Sequence, residues 1–337
     1  MSLFAFGPSR GPRWQIGLQA GVGIAAPIAL MTLIGHPLLG YFAASGAFTV
    51  LFAASSPVAE RVRVLPIVAG ALVLSAALGA AAAASPVTVT VGIVVVAIVS
   101  ATLAFGFRLG PPGPLFFVLV FGLSATVASS APVPGWVYVS AVAAGCVFCL
   151  LVSAAPLLLR RMRAVRARPL RRLFPGPAWD ADAKLLILRV AIVSAVGVPV
   201  GLWLDPARMY WVVGAAIAVV GVATTRRAAF ERALHRLLGT IVGAGAYVLL
   251  AALHPSGLWL ALLLGVLQFS IELVVVRNYA LALTLITPLV LLLLGAATGT
   301  SGDLGIALER VIDTLAGAAL GALSGLVHPR ARAEPRA

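Results

Sequence analysis

The chain has 337 residues, of which 61% are hydrophobic and only 10% charged, with a mean hydropathy of +1.09 and a formal net charge of +14. Soluble domains carry near a quarter charged residues because a water-facing surface needs them, so a soluble fold is excluded and most of this surface must face lipid. The basic residues lie between apolar stretches without the aromatic interleaving of a nucleic-acid groove, which excludes nucleic acid as a partner.

Backbone groups in lipid must be satisfied within their own segment, leaving helices or closed barrels. Continuous apolar windows of about 20 residues specify helices and not the alternating segments of a barrel. In chain order the first expected spans are 16–35, 38–55, 64–84, 87–107, 115–131 and 136–159. The second set is 184–204, 209–225, 237–253, 258–276, 280–297 and 305–327. The first span has no convincing small-residue cleavage site and reads as a retained helix, not a signal peptide. Pro-containing breaks such as His36-Pro37, Pro111-Pro112 and Asp205-Pro206 punctuate the spans. Cys146 and Cys149 form a C-x-x-C inside 136–159, and they read as small apolar residues since no further ligands accompany them.

Lys and Arg collect in cytoplasmic loops. With the N-terminus inside, those loops hold Arg61, Arg63, Arg108, the arginines of 160–172, Arg226 to Arg236 and Arg277. The opposite loops hold only Arg208, beside Asp205 and Asp303. Both termini are therefore expected in the cytosol. Pro37 and Pro206, Tyr41 and Tyr210, and Arg108 and Arg277 are each 169 positions apart, and Glu60-Arg61 recurs as Glu231-Arg232. An even number of spans per copy gives a parallel repeat about the membrane normal. The fold expected is an all-α membrane protein of about twelve transmembrane helices in two six-helix repeats, 1–159 and 184–328. They are joined by a cytoplasmic linker, 160–183, and followed by a tail, 329–337. The linker carries Arg160, Arg161, Arg163, Arg166, Arg168, Arg171 and Arg172. This basic run reads as an anchor for anionic lipid headgroups or as a topology signal alone.

Ionisable side chains inside a membrane cost several kcal/mol, so each is a candidate site. Glu309, Arg310 and Asp313 stand in the last span, where two carboxylates at i,i+4 in low dielectric cannot both ionise cheaply. That arrangement suits proton coupling, and an arginine–carboxylate lock between helices is the structural alternative. Gln268 and Glu272 form a second i,i+4 pair, followed by Arg277, Asn278 and Tyr279. Arg189, about one turn inside the seventh span, lines a path or snorkels to the interface. Gly317, Gly321 and Gly325, with Gly239 and Gly243, form small-xxx-small ladders that let helices approach closely. Signatures of phosphate-binding loops, zinc proteases and serine hydrolases are lacking, so neither an enzyme nor a cofactor is expected.

The order Arg236-Leu-Leu-Gly239-Thr240, Arg277-Asn278-Tyr279, Thr287-Pro288 and Glu309-Arg310-Val-Ile-Asp313-Thr314 resembles the fusaric-acid-resistance-like (FUSC) domain of the aromatic acid exporter superfamily over about 184–328. The resemblance implies a bacterial inner-membrane transporter that exports an aromatic or other organic anion with proton coupling. Many members of that family also carry a large cytoplasmic domain, where this chain has its Arg-rich linker. A passive anion channel lined by Arg310, Arg277 and Arg189, and a membrane scaffold that moves no solute, are the alternatives. The partners expected are membrane lipids and a small organic anion, with a second copy or an envelope protein as further candidates.

Overall fold

Helix boundaries fall where the sequence supplies their chemistry. The computed structural model describes residues 13–130, 133–159, 167–174, 176–221 and 225–327. Pro37 and Pro86 open α2 (Pro37–Ala44) and α4 (Pro86–Gly106), at first-turn positions where a missing N–H costs nothing. The side chains of Asp180, Thr225 and Asn278 accept from backbone N–H groups three residues on. They thereby cap α7 (Ala181–Leu204), α9 (Arg226–Ala251) and α11 (Tyr279–Thr298). Gly299, at φ +77°, ends α11 in the left-handed region. The other principal helices are α1 (Trp14–Leu33), α3 (Val58–Ala82), α5 (Leu115–Ser130), α6 (Gly135–Ala154), α8 (Tyr210–Val220), α10 (Gly257–Val274) and α12 (Gly305–Leu323). A 3-10 segment, Ser45–Leu51, prolongs α2, and one helical turn, Leu170–Leu173, lies in the linker.

Among the described residues nine helices are long and apolar enough to cross a membrane: α1, α3, α4, α6, α7 and α9 to α12. The segment Pro37–Leu51, α5 and α8 are apolar but shorter. Each expected span overlaps one helix. The largest departure is α9, which begins at Arg226 and not near 237, because its first turns carry too much charge to register as apolar. The eleven residues of α8 rise about 17 Å, against a hydrocarbon core of about 30 Å. All eleven are buried.

Contacts at the helix ends sort the elements. Arg13 before α1 meets Glu272 on α10, Arg61 on α3 meets the end of the 3-10 segment at Val50, and Arg226 on α9 meets Leu326 after α12. Arg108 after α4 meets Asp180 before α7. One end of the bundle thus gathers the starts of odd-numbered helices with the ends of even-numbered ones. At the other end Asp205 and Arg208, after α7, lie against Glu309 on α12, and Tyr247 on α9 donates to the carbonyl of Asp303.

Helix pairing within residues 14–158 recurs within 181–327. The pairs α1–α2, α1–α6, α2–α6, α3–α5, α3–α6 and α4–α5 have counterparts in α7–α8, α7–α12, α8–α12, α9–α11, α9–α12 and α10–α11. Packing between the halves is matched too, as α1 against α10 and α4 against α7, and as α2 against α11 and α5 against α8. Adding 169 to the bounds of α3, 58–82, gives 227–251, one residue from those of α9. Two close approaches also correspond: a methyl on Gly145 of α6 would collide with the backbone of Ala43 on α2, and one on Gly317 of α12 with that of Val212 on α8.

Candidate functional site

Between the halves lies a cavity of about 100 Å³, walled by apolar side chains and by the rings of Tyr41, Phe42, Phe48, Tyr138, Tyr210 and Trp211. Ser45 and Gln268 add polar edges, and among the described residues Arg310 is the only charged one in its lining. An apolar pocket with a few convergent polar groups is the usual form of a small-ligand site.

Arg310 is 6% exposed, and its Cζ lies 4.7 Å from the centre of the Trp211 ring. Among the described residues no carboxylate comes within 4.0 Å of its guanidinium, and its Nε is buried without a hydrogen-bond partner. A buried guanidinium normally pairs. Here the ring face takes part of that role through cation–π attraction, which leaves the group able to meet an anion in the cavity. The same Trp211 ring has Arg208 at 5.3 Å, so the indole links two cations.

The three charged residues of α12 part company. Glu309 is hydrogen-bonded to Arg208 Nη2, and its side chain is nearly half exposed. Arg208 also donates from Nε to Asp205 at 2.8 Å. Asp313, one turn deeper, is 1% exposed, and its Oδ2 has no hydrogen-bond partner among the described residues. The two carboxylates therefore sit in different surroundings, one at a charged rim and one in the interior.

At the opposite edge Gln268, which lines the cavity, reaches Glu272 at 3.5 Å, and Glu272 accepts from Arg13 at 2.7 Å. Nearby, Arg61 is 1% exposed and donates to Gln19 Oε1 at 2.9 Å and to the Val50 carbonyl at 2.8 Å. Sequence reasoning read Arg61 as a topology charge and passed over Gln19 and Arg13 as site residues. Their signal was the recurrence of Glu60-Arg61 as Glu231-Arg232. The structure gives that recurrence a cause, since Arg232 Nε donates to the Ala218 carbonyl at 2.7 Å. Each arginine satisfies a carbonyl at the end of a short buried helix, where no intrahelical donor exists.

Tyr279 is bonded to Arg236 and covered by Arg232. Asn278 serves as the cap of α11, and Arg277 is exposed beside it. Arg189 is fully buried but lies away from the cavity, with Nε donating to Ser324 at 3.2 Å across α7 and the end of α12. In the linker, Arg168 grips the buried Glu60 carboxylate with two bonds, at 2.7 and 2.8 Å, and Arg63 donates to the Arg168 carbonyl at 2.6 Å. That arginine is committed to protein and not to lipid. Arg171 and Arg172 are exposed, while Arg160, Arg161, Arg163 and Arg166 lie outside the described residues. Cys146 and Cys149 are free and buried.

Residues 194–324 match the sequence family described as fusaric acid resistance protein-like. The chain is also 28% identical over 149 residues to the uncharacterised membrane protein YvaC of Bacillus subtilis (strain 168), a stretch that covers 44% of this chain and 24% of that protein. The chain thus spans about a quarter of its relative's length. No solved structure matches it. The match covers α8 to α12 and the second part of α7, including Trp211, Arg310 and Asp313. This is a multi-pass helical membrane protein whose residues 194–324 are similar to the fusaric acid resistance protein-like family.

Proposed function

We propose that the chain carries an organic anion, with an aromatic carboxylate as the type case, across a bacterial cytoplasmic membrane. In this reading the anion's carboxylate meets Arg310 and its ring lies among the cavity aromatics. One observation carries it: a buried guanidinium without a carboxylate partner faces an aromatic-walled cavity at the junction of the halves. An arginine lock would show a carboxylate partner, which Arg310 lacks among the described residues. The uncommitted, buried Asp313 supports it as the proton carrier, whereas Glu309 is already engaged by Arg208.

The same reading takes the chain as two parallel six-helix repeats, 1–159 and 184–328, crossing the membrane twelve times with both termini in the cytosol. The matched helix pairing and the alternation of helix ends support it. The name of the matching family, fusaric acid resistance protein-like, suggests substrates of this class.

The test is benzoate efflux from proteoliposomes with and without a pH gradient. Arg310→Met is expected to abolish flux. Asp313→Asn is expected to remove the stimulation by the gradient while leaving benzoate binding intact. Undiminished flux by Arg310→Met would overturn the anion site, and undiminished pH stimulation in Asp313→Asn would overturn the coupling role.

A further inference from the structure

Arg236 on α9 is 6% exposed, and its Nη1 donates to the Tyr279 hydroxyl at 2.7 Å. Its Nε is buried with no hydrogen-bond partner. The Arg232 guanidinium lies 3.7 Å from the centre of the Tyr279 ring, on a side chain anchored by the Ala218 carbonyl. Arg236 and Tyr279 also lie close enough to Arg310 for their charges to act on one another. Two guanidinium groups therefore hold one phenol, with a third, Arg310, within electrostatic range, and among the described residues no carboxylate is within 4.0 Å of any of the three. The acid on the same helix turn, Glu231, is engaged by Arg227 at 2.9 Å. Like charges held together out of water repel, and an anion between them turns that repulsion into binding.

We propose that Arg232, Arg236 and Tyr279 form a second anion site, on the arginine-rich side of the cavity, which receives a carboxylate and passes it to Arg310. The Tyr279 oxygen accepts from Arg236, so its own O–H remains to donate, and among the described residues it has no acceptor. The phenol and the uncommitted Nε of Arg236 together offer charge-assisted hydrogen bonds to a carboxylate. Tyr279 and Arg236 are absent from the lining of the central cavity while Arg310 belongs to it. In this proposal Arg310, which lines the cavity and lies within electrostatic range of Arg236 and Tyr279, is the next group on a stepwise path, as an anion needs if it is to leave as readily as it enters. This proposal rests on the anion-transport reading but is separable from it.

The experiment uses the full chain and sodium benzoate as the probe. Equilibrium dialysis of labelled benzoate against the purified protein, with and without chloride as competitor, is expected to give two bound per chain. Tyr279→Phe and Arg236→Gln should each leave one. In proteoliposomes, KM for benzoate offered to the arginine-rich face should rise about tenfold in both variants, the loss of one charge-assisted bond. KM from the opposite face should stay unchanged. Tyr279→Phe keeps the ring beneath Arg232, so it reports on the site even if Arg236→Gln fails to fold. Two bound benzoates without any flux would sink the transport reading and leave this site standing. Flux with a single bound benzoate, or KM unchanged or changed equally on both faces, would overturn the second site alone.

Discussion

A buried arginine with no carboxylate in contact among the described residues loses hydration and regains only part of that loss from a ring face and the more distant Asp313, so Arg310 bears a cost that a bound anion would relieve. Arg310→Met should therefore leave thermal unfolding in detergent unchanged or raise its midpoint, even as benzoate binding disappears. A fall in the midpoint of more than a few degrees would mark Arg310 as a packing residue. Arg61 presents the opposite case. It satisfies both Gln19 and the Val50 carbonyl, so Arg61→Leu strands two buried acceptors at about 1–3 kcal/mol each. Arg63→Gln, two residues on and exposed, should shift stability by about 0.5 kcal/mol or less. Unfolding curves of the two variants side by side test the contrast. Arg310 was visible in the sequence because an ionisable residue in an apolar run stands out. Its platform Trp211 was not, since nothing local joins α8 to α12. Arg61 was hidden because a basic residue at a span border has a ready explanation as a topology charge. Glu309 and Asp313 read as a pair from i,i+4 spacing, yet one turn of depth separates a charged rim from the interior.

Helix–helix association in lipid depends on close packing, because no hydrophobic effect draws apolar surfaces together there. The approaches of α6 to α2 and of α12 to α8 are set by Gly145 and Gly317, whose missing side chains admit a neighbouring backbone. Gly145→Ala or Gly317→Ala should force the helices apart and cost about 1–3 kcal/mol. Gly245→Ala on α9, with nothing within 4 Å of the added methyl, should be neutral or gain up to about 1 kcal/mol in helix propensity. Equal effects at Gly245 and Gly317 would remove the close-approach argument. The ladder of Gly317 and Gly321 was readable in sequence as a packing face. That it packs on α8 required the fold, because α8 is short, apolar all round and without a directional pattern of its own. Long spans announce themselves through window hydropathy, and a fully enclosed short helix does not.

For the whole molecule, the distribution of cations is the basis of the proposed orientation. Arg13, Arg61, Arg63, Arg108, Arg168, Arg226, Arg232 and Arg236 all belong to the end where odd-numbered helices start. The exception in sequence is Arg208, which lies at the other end. There it is held by both Asp205 and Glu309, so its charge is balanced locally and it contributes little to the asymmetry that orients a chain during insertion. The proposed orientation accordingly puts the arginine-rich end in the cytosol. Cysteines placed one at a time at the exposed positions Leu170, in the linker, and Ser301, before α12, should divide cleanly when intact cells are treated with a membrane-impermeant maleimide. Ser301→Cys should label from outside, and Leu170→Cys only after the membrane is opened. Cys146 and Cys149 are buried in the bundle and should contribute little background. Removing Arg208's partners, through Asp205→Asn with Glu309→Gln, would free a cation on the outer face and should lower the fraction of correctly oriented chains without inverting it, since that one charge opposes many. Labelling of Leu170→Cys in intact cells would reverse the proposed orientation and place the Arg232–Arg236–Tyr279 cluster at the outer face.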